Sequence, residues 1–234
     1  MRDTLKLGAL LVLLAAYGCA APAGITGSID MRGTSTALAM TGAPLPNAKT
    51  MPDSQIAAPA PAGFVSFCTR FPEQCMASKD APSVVKLSPA QWLELQEVNQ
   101  AVNLAIKPMD DERHYGRAEY WNIPTDGLGD CEDYALTKRK ELTAAGYPIS
   151  ALRIAIVVTR QGERHAVLTV ATDKGDLVLD NLNDEVKGWN STGYRWIERQ
   201  DPVHAMQWVS VDENPVMLAA AAHSDEDSTA QIPH

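Results

Sequence analysis

Apolar residues recur at Trp92, Leu95, Val98, Val102 and Ile106, three or four apart, with mostly polar residues between them. That spacing lays one apolar stripe along a helix. Immediately upstream, Ser88, Pro89 and Gln91 stand in the order of a capping box with proline in the first helical turn, so a helix is predicted from Ser88 to about Ile106. Its stripe is a packing surface, and no chemistry is assigned to it. A second helix is predicted from Asp130 to Gly146, with Pro148 beyond it as a stop, and Cys131 falls in its first turn. After it the pattern changes. The runs 152–159, 166–171, 177–180, 194–197 and 206–209 are rich in β-branched, aliphatic and aromatic residues and are separated by short turns containing Gly or Asp, which predicts an antiparallel sheet. Helices precede strands, so the fold class is α+β.

The two ends of the chain show neither period. A basic start (Arg2, Lys6), an apolar run from Leu7 to Ala16 and small residues at Gly18, Ala20, Ala21 and Ala23 read as an export signal over 1–21. The run is well short of the ~20 residues that cross a bilayer, and no later stretch reaches that length, so no transmembrane helix is expected in the mature chain. Cleavage falls either near Ala20 to Ala23 or just before Cys19, which would then carry lipid as an anchor, although Tyr17 is bulky for a lipobox. Residues 22–61 are dominated by Ala, Pro, Gly, Ser and Thr and read as a flexible tether. Residues 213–234 read as a disordered polar tail, leaving 62–212 as the folded domain.

Composition narrows the classes. With 45% hydrophobic and 21% charged residues the chain can bury a core, and a net charge of −9 offers no footprint for nucleic acid. Export changes the meaning of the cysteines. Beyond Cys19 the chain keeps Cys68, Cys75 and Cys131, an odd number in an oxidising compartment. Cys68 and Cys75 are close in sequence with Pro72 between them, which suits a disulfide-closed loop. Cys131 is the thiol left over.

A cysteine at a helix N-terminus faces unpaired backbone N–H groups and the positive end of the dipole, both of which favour thiolate. Such a nucleophile needs a base, and the base needs an orienting acceptor. His165 at the start of one predicted strand and Asp180 at the end of the next supply them if a hairpin turns near Thr172 and Asp173. A register slip of one residue would put the two side chains on opposite faces of the sheet. Taken singly, each residue has a duller use in packing, at the surface or at a strand end. Zinc is set aside because no C-x-x-C or paired-His spacing is present.

Tyr120-Trp121-Asn122-Ile123-Pro124, Gly129-Asp130-Cys131-Glu132-Asp133-Tyr134-Ala135, Lys138, Leu142, Gly146-Tyr147-Pro148, His165-Ala166-Val167-Leu168 and Leu177-Val178-Leu179-Asp180-Asn181-Leu182 together resemble the bacterial transglutaminase-like cysteine proteinase family over roughly 62–209. The resemblance implies a papain-like/transglutaminase-like core, with the nucleophile at a helix N-terminus packed on an antiparallel sheet. It implies Cys131 as nucleophile, His165 as general base and acid, and Asp180 as the orienting residue. It also implies a periplasmic protease with a protein substrate such as a large surface adhesin, whose release disperses biofilm, and with a membrane-bound regulatory partner.

The same resemblance implies Ca2+ beside the active site, held by Asp130 and Glu132. A physical argument runs parallel: Asp130, Glu132 and Asp133 surround a thiol that must ionise, and like charges oppose that unless a cation compensates. Read from the residues alone, the acids serve equally as ordinary N-terminal caps. The backbone N–H of Cys131 is one expected oxyanion donor, with Trp121 or Asn122 as candidates for support. Lys138, two helical turns from Cys131, is expected to pair with a carboxylate. Two other readings stay open: a transglutaminase or deamidase using the same triad, and a non-catalytic calcium- or protein-binding module.

Overall fold

The computed structural model describes residues 44–52, 54, 56–76 and 81–211. In chain order the elements are β1 (Ala57–Ala58), α1 (Ala62–Arg70), α2 (Pro89–Ala105), β2 (Lys107–Pro108), α3 (Asp111–Tyr115), β3 (Leu128–Gly129), α4 (Cys131–Ala144), β4 (Leu152–Val158), β5 (Arg164–Thr172), β6 (Gly175–Asp180), β7 (Asn183–Gly188), β8 (Arg195–Gln200) and β9 (Trp208–Ser210). Seven strands form one sheet in the order β1-β9-β8-β4-β5-β6-β7, and each neighbouring pair is antiparallel. The expected α+β class with helices on an antiparallel sheet is the observed one.

The capping box forms as its residues predict: Ser88 Oγ accepts from Gln91 N–H, and the Gln91 side chain accepts from the Ser88 N–H. Helix α4 stops where Gly146 takes φ +95. Tyr147 N–H then bonds Leu142 O and Gly146 N–H bonds Thr143 O, the paired closure that a left-handed residue after a helix permits.

The sheet is covered on both faces, which explains why its strands read as continuous apolar runs rather than alternating ones. On one face Leu95 of α2 and Ala135, Leu136 and Leu142 of α4 pack with Ile154, Leu168, Val170, Leu177 and Leu179. On the other, Ala155, Val157, Val167, Val178 and Trp196 form a second cluster that is completed by Met51, only 1% exposed.

Met51 corrects the expected tether. The described residues 44–52, 54 and 56–58 do not hang free of the domain: Leu45, Ala48 and Ala58 pack against the first cluster and Met51 enters the second. Ala48 N–H bonds Lys174 O at 2.9 Å, Asp176 N–H bonds Lys49 O at 3.0 Å, and Met51 N–H bonds Asp176 Oδ2 at 2.7 Å. Arg199 bridges Asp176 and Met51 O, and β1 adds an edge strand to β9. This strap lacks periodicity because it contributes one fully buried side chain, a few scattered partly buried ones and many backbone hydrogen bonds, none of which leaves a compositional trace. The expected export signal over 1–21 with Cys19, the remainder of the tether over 22–43, and the tail over 213–234 lie outside the described residues. Among the described residues no helix is long and apolar enough to cross a membrane.

Strand β7 is not foreseen by the pattern. Asn183, Asp184, Glu185 and Lys187 make it polar, with Val186 as its buried apolar anchor, as befits an edge strand that must resist further pairing.

Two outcomes follow from the packing. Met51→Ala is expected to cost about 2–5 kcal/mol, read as a lowered melting temperature; a tether that merely hung from the domain would leave melting unchanged. Glu198 is 5% exposed, and burial raises its carboxyl from 4.5 to about 7 despite Arg164 at 3.9 Å. The folded state holds this proton more tightly than the unfolded chain, so the stability it contributes is complete below pH 4.5 and is lost as pH rises through about 7. Glu198→Gln should therefore match wild type in melting near pH 5 and exceed it at pH 8.

Candidate active site

Two chain crossings bring the predicted residues together. The first is the N-terminus of α4. Asp130 is its N-cap residue and makes no side-chain cap bond; its carbonyl accepts Asp133 N–H at 3.1 Å and Tyr134 N–H at 3.3 Å, and the Cys131 and Glu132 N–H groups are not claimed by it. Cys131 is the free cysteine among the described residues. Its thiol donates to Glu132 Oε2 at 3.1 Å, and its sulfur accepts the Ala166 N–H at 3.4 Å. The sulfur therefore lies against the residue that directly follows His165 in β5.

The second crossing is the β5–β6 hairpin. Thr172 pairs with Gly175 and Leu168 with Leu179, so the turn residues are Asp173 and Lys174 and the register sits two residues from one that would set His165 opposite Asp180. A slip of two keeps both side chains on one face. No bulge is needed between these strands, and Asp180 reaches diagonally: His165 Nε2 and Asp180 Oδ1 are 2.8 Å apart, with both side chains 5% exposed.

Asp180 is held at every polar atom. Its Oδ1 also accepts Leu182 N–H at 2.9 Å, and its Oδ2 accepts the Tyr194 hydroxyl at 2.5 Å. From α2, Asn99 Oδ1 accepts the Asp180 N–H at 3.0 Å and Asn103 Nδ2 donates to Asp180 O at 2.9 Å. Burial alone would raise the Asp180 carboxyl, but the hydrogen bonds and charge of His165, with the Tyr194 and Leu182 donors, bring it below its ordinary range. Helix α2, expected only to pack, thus positions the site with two polar residues one turn apart. Asn99 is fully buried between apolar stripe positions, which is the signal that periodicity analysis discards.

The acidic residues gather on the other side of the thiol. The short parallel pair β2–β3, with Met109 N–H on Gly129 O at 2.9 Å, carries Asp111 at the start of α3 to Asp130. One oxygen each from Asp111, Asp130 and Glu132 lies within 4.8 Å of the others. Asp111 Oδ1 and Asp130 Oδ1 are buried without a hydrogen-bond partner. Burial pushes Asp130 up to about 6, and burial followed by the Asp130 charge pushes Glu132 up to about 9. The three oxygens are hard donors in a space the protein leaves unsatisfied, which fits a divalent cation such as Ca2+. The expected ligands Asp130 and Glu132 are joined by Asp111, which the sequence marks only as part of an acidic run some twenty residues upstream.

Asp133 borders this cluster: burial, with the charges of Asp130 and Asp111, pushes its carboxyl up to about 8, and its Oδ2 is buried without a hydrogen-bond partner. Its Oδ1 accepts Asn122 N–H at 2.7 Å, and a side chain at Gly129 would strike its carboxylate at 2.6 Å, so that turn requires glycine.

Four expectations are corrected by these surroundings. The Cys131 thiol is pushed well above its ordinary range, first by burial and then by the charge of Glu132, which outweigh the helix end. The donors expected of Trp121 and Asn122 are in large part engaged elsewhere. Trp121 is 2% exposed, and its indole N–H donates to Glu119 Oε2 at 3.0 Å. Asn122 spends its N–H on Asp133, and its side-chain amide lies 3.4 Å from the Tyr115 hydroxyl. Lys138 is 1% exposed, and among the described residues no carboxylate lies within ion-pair distance of it; burial lowers it to about 7 while Asp180 and Asp184 act on it through space.

The Cys68–Cys75 disulfide is present, with a Cα separation of 5.7 Å. Its loop touches the helix that carries the thiol, because Gln74 O accepts from Arg139 of α4 at 3.0 Å.

The family model for the bacterial transglutaminase-like cysteine proteinases matches residues 54–216. Solved structures of Legionella pneumophila LapG are also similar. The EGTA-treated form is 28% identical, covering 49% of this chain and 64% of that one with a TM-score of 0.41. The calcium-bound form is 24% identical, covering 55% and 74% with a TM-score of 0.45. The chain spans just under two thirds of the length of the first of these. No curated protein matches it. The family match begins in the strap and runs through the last strand, and the chain belongs to the bacterial transglutaminase-like cysteine proteinase family.

Proposed function

We propose that the chain is an exported, calcium-dependent protease in which Cys131, His165 and Asp180 form the catalytic triad, and that its substrate is a periplasmic or cell-surface protein such as a large adhesin. The observation that carries this reading is the pairing of His165 Nε2 with Asp180 while the Cys131 sulfur rests on the Ala166 N–H. With Nε2 committed, Nδ1 is the nitrogen left for the thiol proton. The sulfur then attacks the scissile carbonyl carbon, and the oxyanion is met by the Cys131 N–H at the uncapped helix end. Collapse returns the proton from Nδ1 to the leaving amine, giving the thioester. His165 next takes a proton from water, and hydroxide addition followed by loss of the thiolate releases the acid.

Asp111, Asp130 and Glu132 would hold Ca2+. Its positive charge would offset the acids that now oppose ionisation of the thiol. A calcium-bound form of LapG is consistent with this assignment. The basic, then apolar, then small-residue order of residues 1–21 supports export, and Cys19 would anchor the chain if cleavage precedes it.

Wild type and Cys131→Ala should be incubated with surface proteins of the same cell and the products weighed by mass spectrometry. Chain cleavage by wild type alone is expected. Equal cleavage by Cys131→Ala would remove the nucleophile, and cross-linked or deamidated products without cleavage would change the reaction. Chelation should lower both activity and melting temperature, and added Ca2+ should restore them. At a hundredfold excess over Kd the cation contributes about 2.7 kcal/mol. Asp111→Asn should weaken the response to added Ca2+, and melting that ignores chelator and cation alike would reject the site.

A further inference from the structure

The imidazole and carboxylate have a third companion on the same face of the sheet. Tyr194 follows Gly193, which has φ +76, and its ring packs against the cluster of Met51, Val157 and Trp196. Its hydroxyl meets Asp180 Oδ2 at 2.5 Å, while its ring stands edge-on to His165, with centroids 5.9 Å apart and planes at 73°. Oδ1 of Asp180 already serves both His165 and Leu182 N–H, so the phenol takes the one oxygen those groups do not use.

We infer that Tyr194 is a positioning residue for the peptidase reaction, acting through Asp180 to fix which carboxylate oxygen faces His165 and hence the orientation of the imidazole. The inference rests on the triad reading above.

Without the hydroxyl, Oδ2 would have no donor among the described residues. A buried carboxylate oxygen stripped of its donor is costly, and two reliefs are at hand. Asp180 can swing its carboxylate, or water can enter the cavity of about 30 Å3 lined by Asp180, Asn183, Thr192 and Tyr194. Either loosens the bond to His165. A tyrosine used only for packing would leave that bond unaffected. Burial, reinforced by Asp180, pushes the Tyr194 hydroxyl above its ordinary range, so it keeps its proton and donates. The indirect hold of one group on a catalytic side chain through its hydrogen-bond partner has a parallel in the outer groups that orient metal-bound histidines.

Tyr194→Phe deletes the hydroxyl and keeps the ring. In the full-length protein, NMR exchange of the His165 Nε2–H with water is the direct readout. It is expected to speed by about 10- to 100-fold, the factor matching a lost hydrogen bond to a charged group. Slow backbone amides of β5 and the melting temperature should stay near wild type. Exchange within twofold of wild type would overturn the inference. So would acceleration shared equally by the β5 amides, because that marks a general loosening of the fold. On a protein that wild type cleaves, the variant should lose kcat while KM holds. If Cys131→Ala cleaved as well as wild type, the triad reading would fall while the exchange result still stood, so the two failures are separable.

Discussion

The hydrogen bond between His165 and Asp180 depends on where one hairpin turns. Residues across an antiparallel pair share a face only when the register keeps the parity of their positions. Placing Asp173 and Lys174 in the turn keeps it, at the cost of direct opposition, so Asp180 must reach diagonally. A carboxylate at the last residue of a strand would have freedom to miss. Asn99 and Asn103 remove it by holding the Asp180 peptide from α2, and Leu182 N–H holds Oδ1. The capping box of α2 acquires its significance here, since a helix fixed at its first turn delivers those two amides at a set height above the sheet.

Electrostatics on the thiol side pull in two directions. The first turn of α4 offers uncapped N–H groups that favour negative charge, yet Asp111, Asp130 and Glu132 crowd the same end. Burial and the nearby carboxylate dominate, raising the thiol, and three carboxylate oxygens, one each on Asp111, Asp130 and Asp133, remain buried without donors. An acidic cluster of this kind is costly unless a cation joins it. Under the proposed calcium dependence, that cost ties nucleophile activation to metal supply: the same acids that hinder ionisation become the site that relieves them.

The helix bearing Cys131 is anchored from outside the sheet as well. Arg139, 2% exposed, reaches Gln74 in the disulfide loop and Gln200 in β8, so the loop closed by Cys68 and Cys75 and the far side of the sheet both bear on α4. The strap over 44–58 has the equivalent role for the opposite face, where Met51 and the Arg199–Asp176 pair hold the strands that carry the imidazole and its carboxylate. The groups of the proposed triad thus sit on elements fixed from both faces, which suits chemistry that tolerates little displacement.

Local signals in the sequence were enough for the two main helices, the α+β class and the disulfide loop, and they singled out the cysteine, histidine and aspartate whose contacts the fold then set: His165 against Asp180, and Cys131 against Ala166. Each of these is written in neighbouring residues: a cap and a periodic stripe, a glycine stop, an odd cysteine at a helix start, a turn between two apolar runs. The folded chain alone decided that Asp111 joins Asp130 and Glu132, that Asn99, Asn103 and Tyr194 surround Asp180, and that Trp121 and Asn122 spend donors elsewhere. It also placed 44–58 within the domain. The contacts around Asp180 and along the strap join residues 14 to about 150 positions apart, set by sheet register and by short backbone pairings that need no particular side chain. Periodicity reports which face a residue occupies; which distant polar atom it will meet there is fixed only when the elements pack.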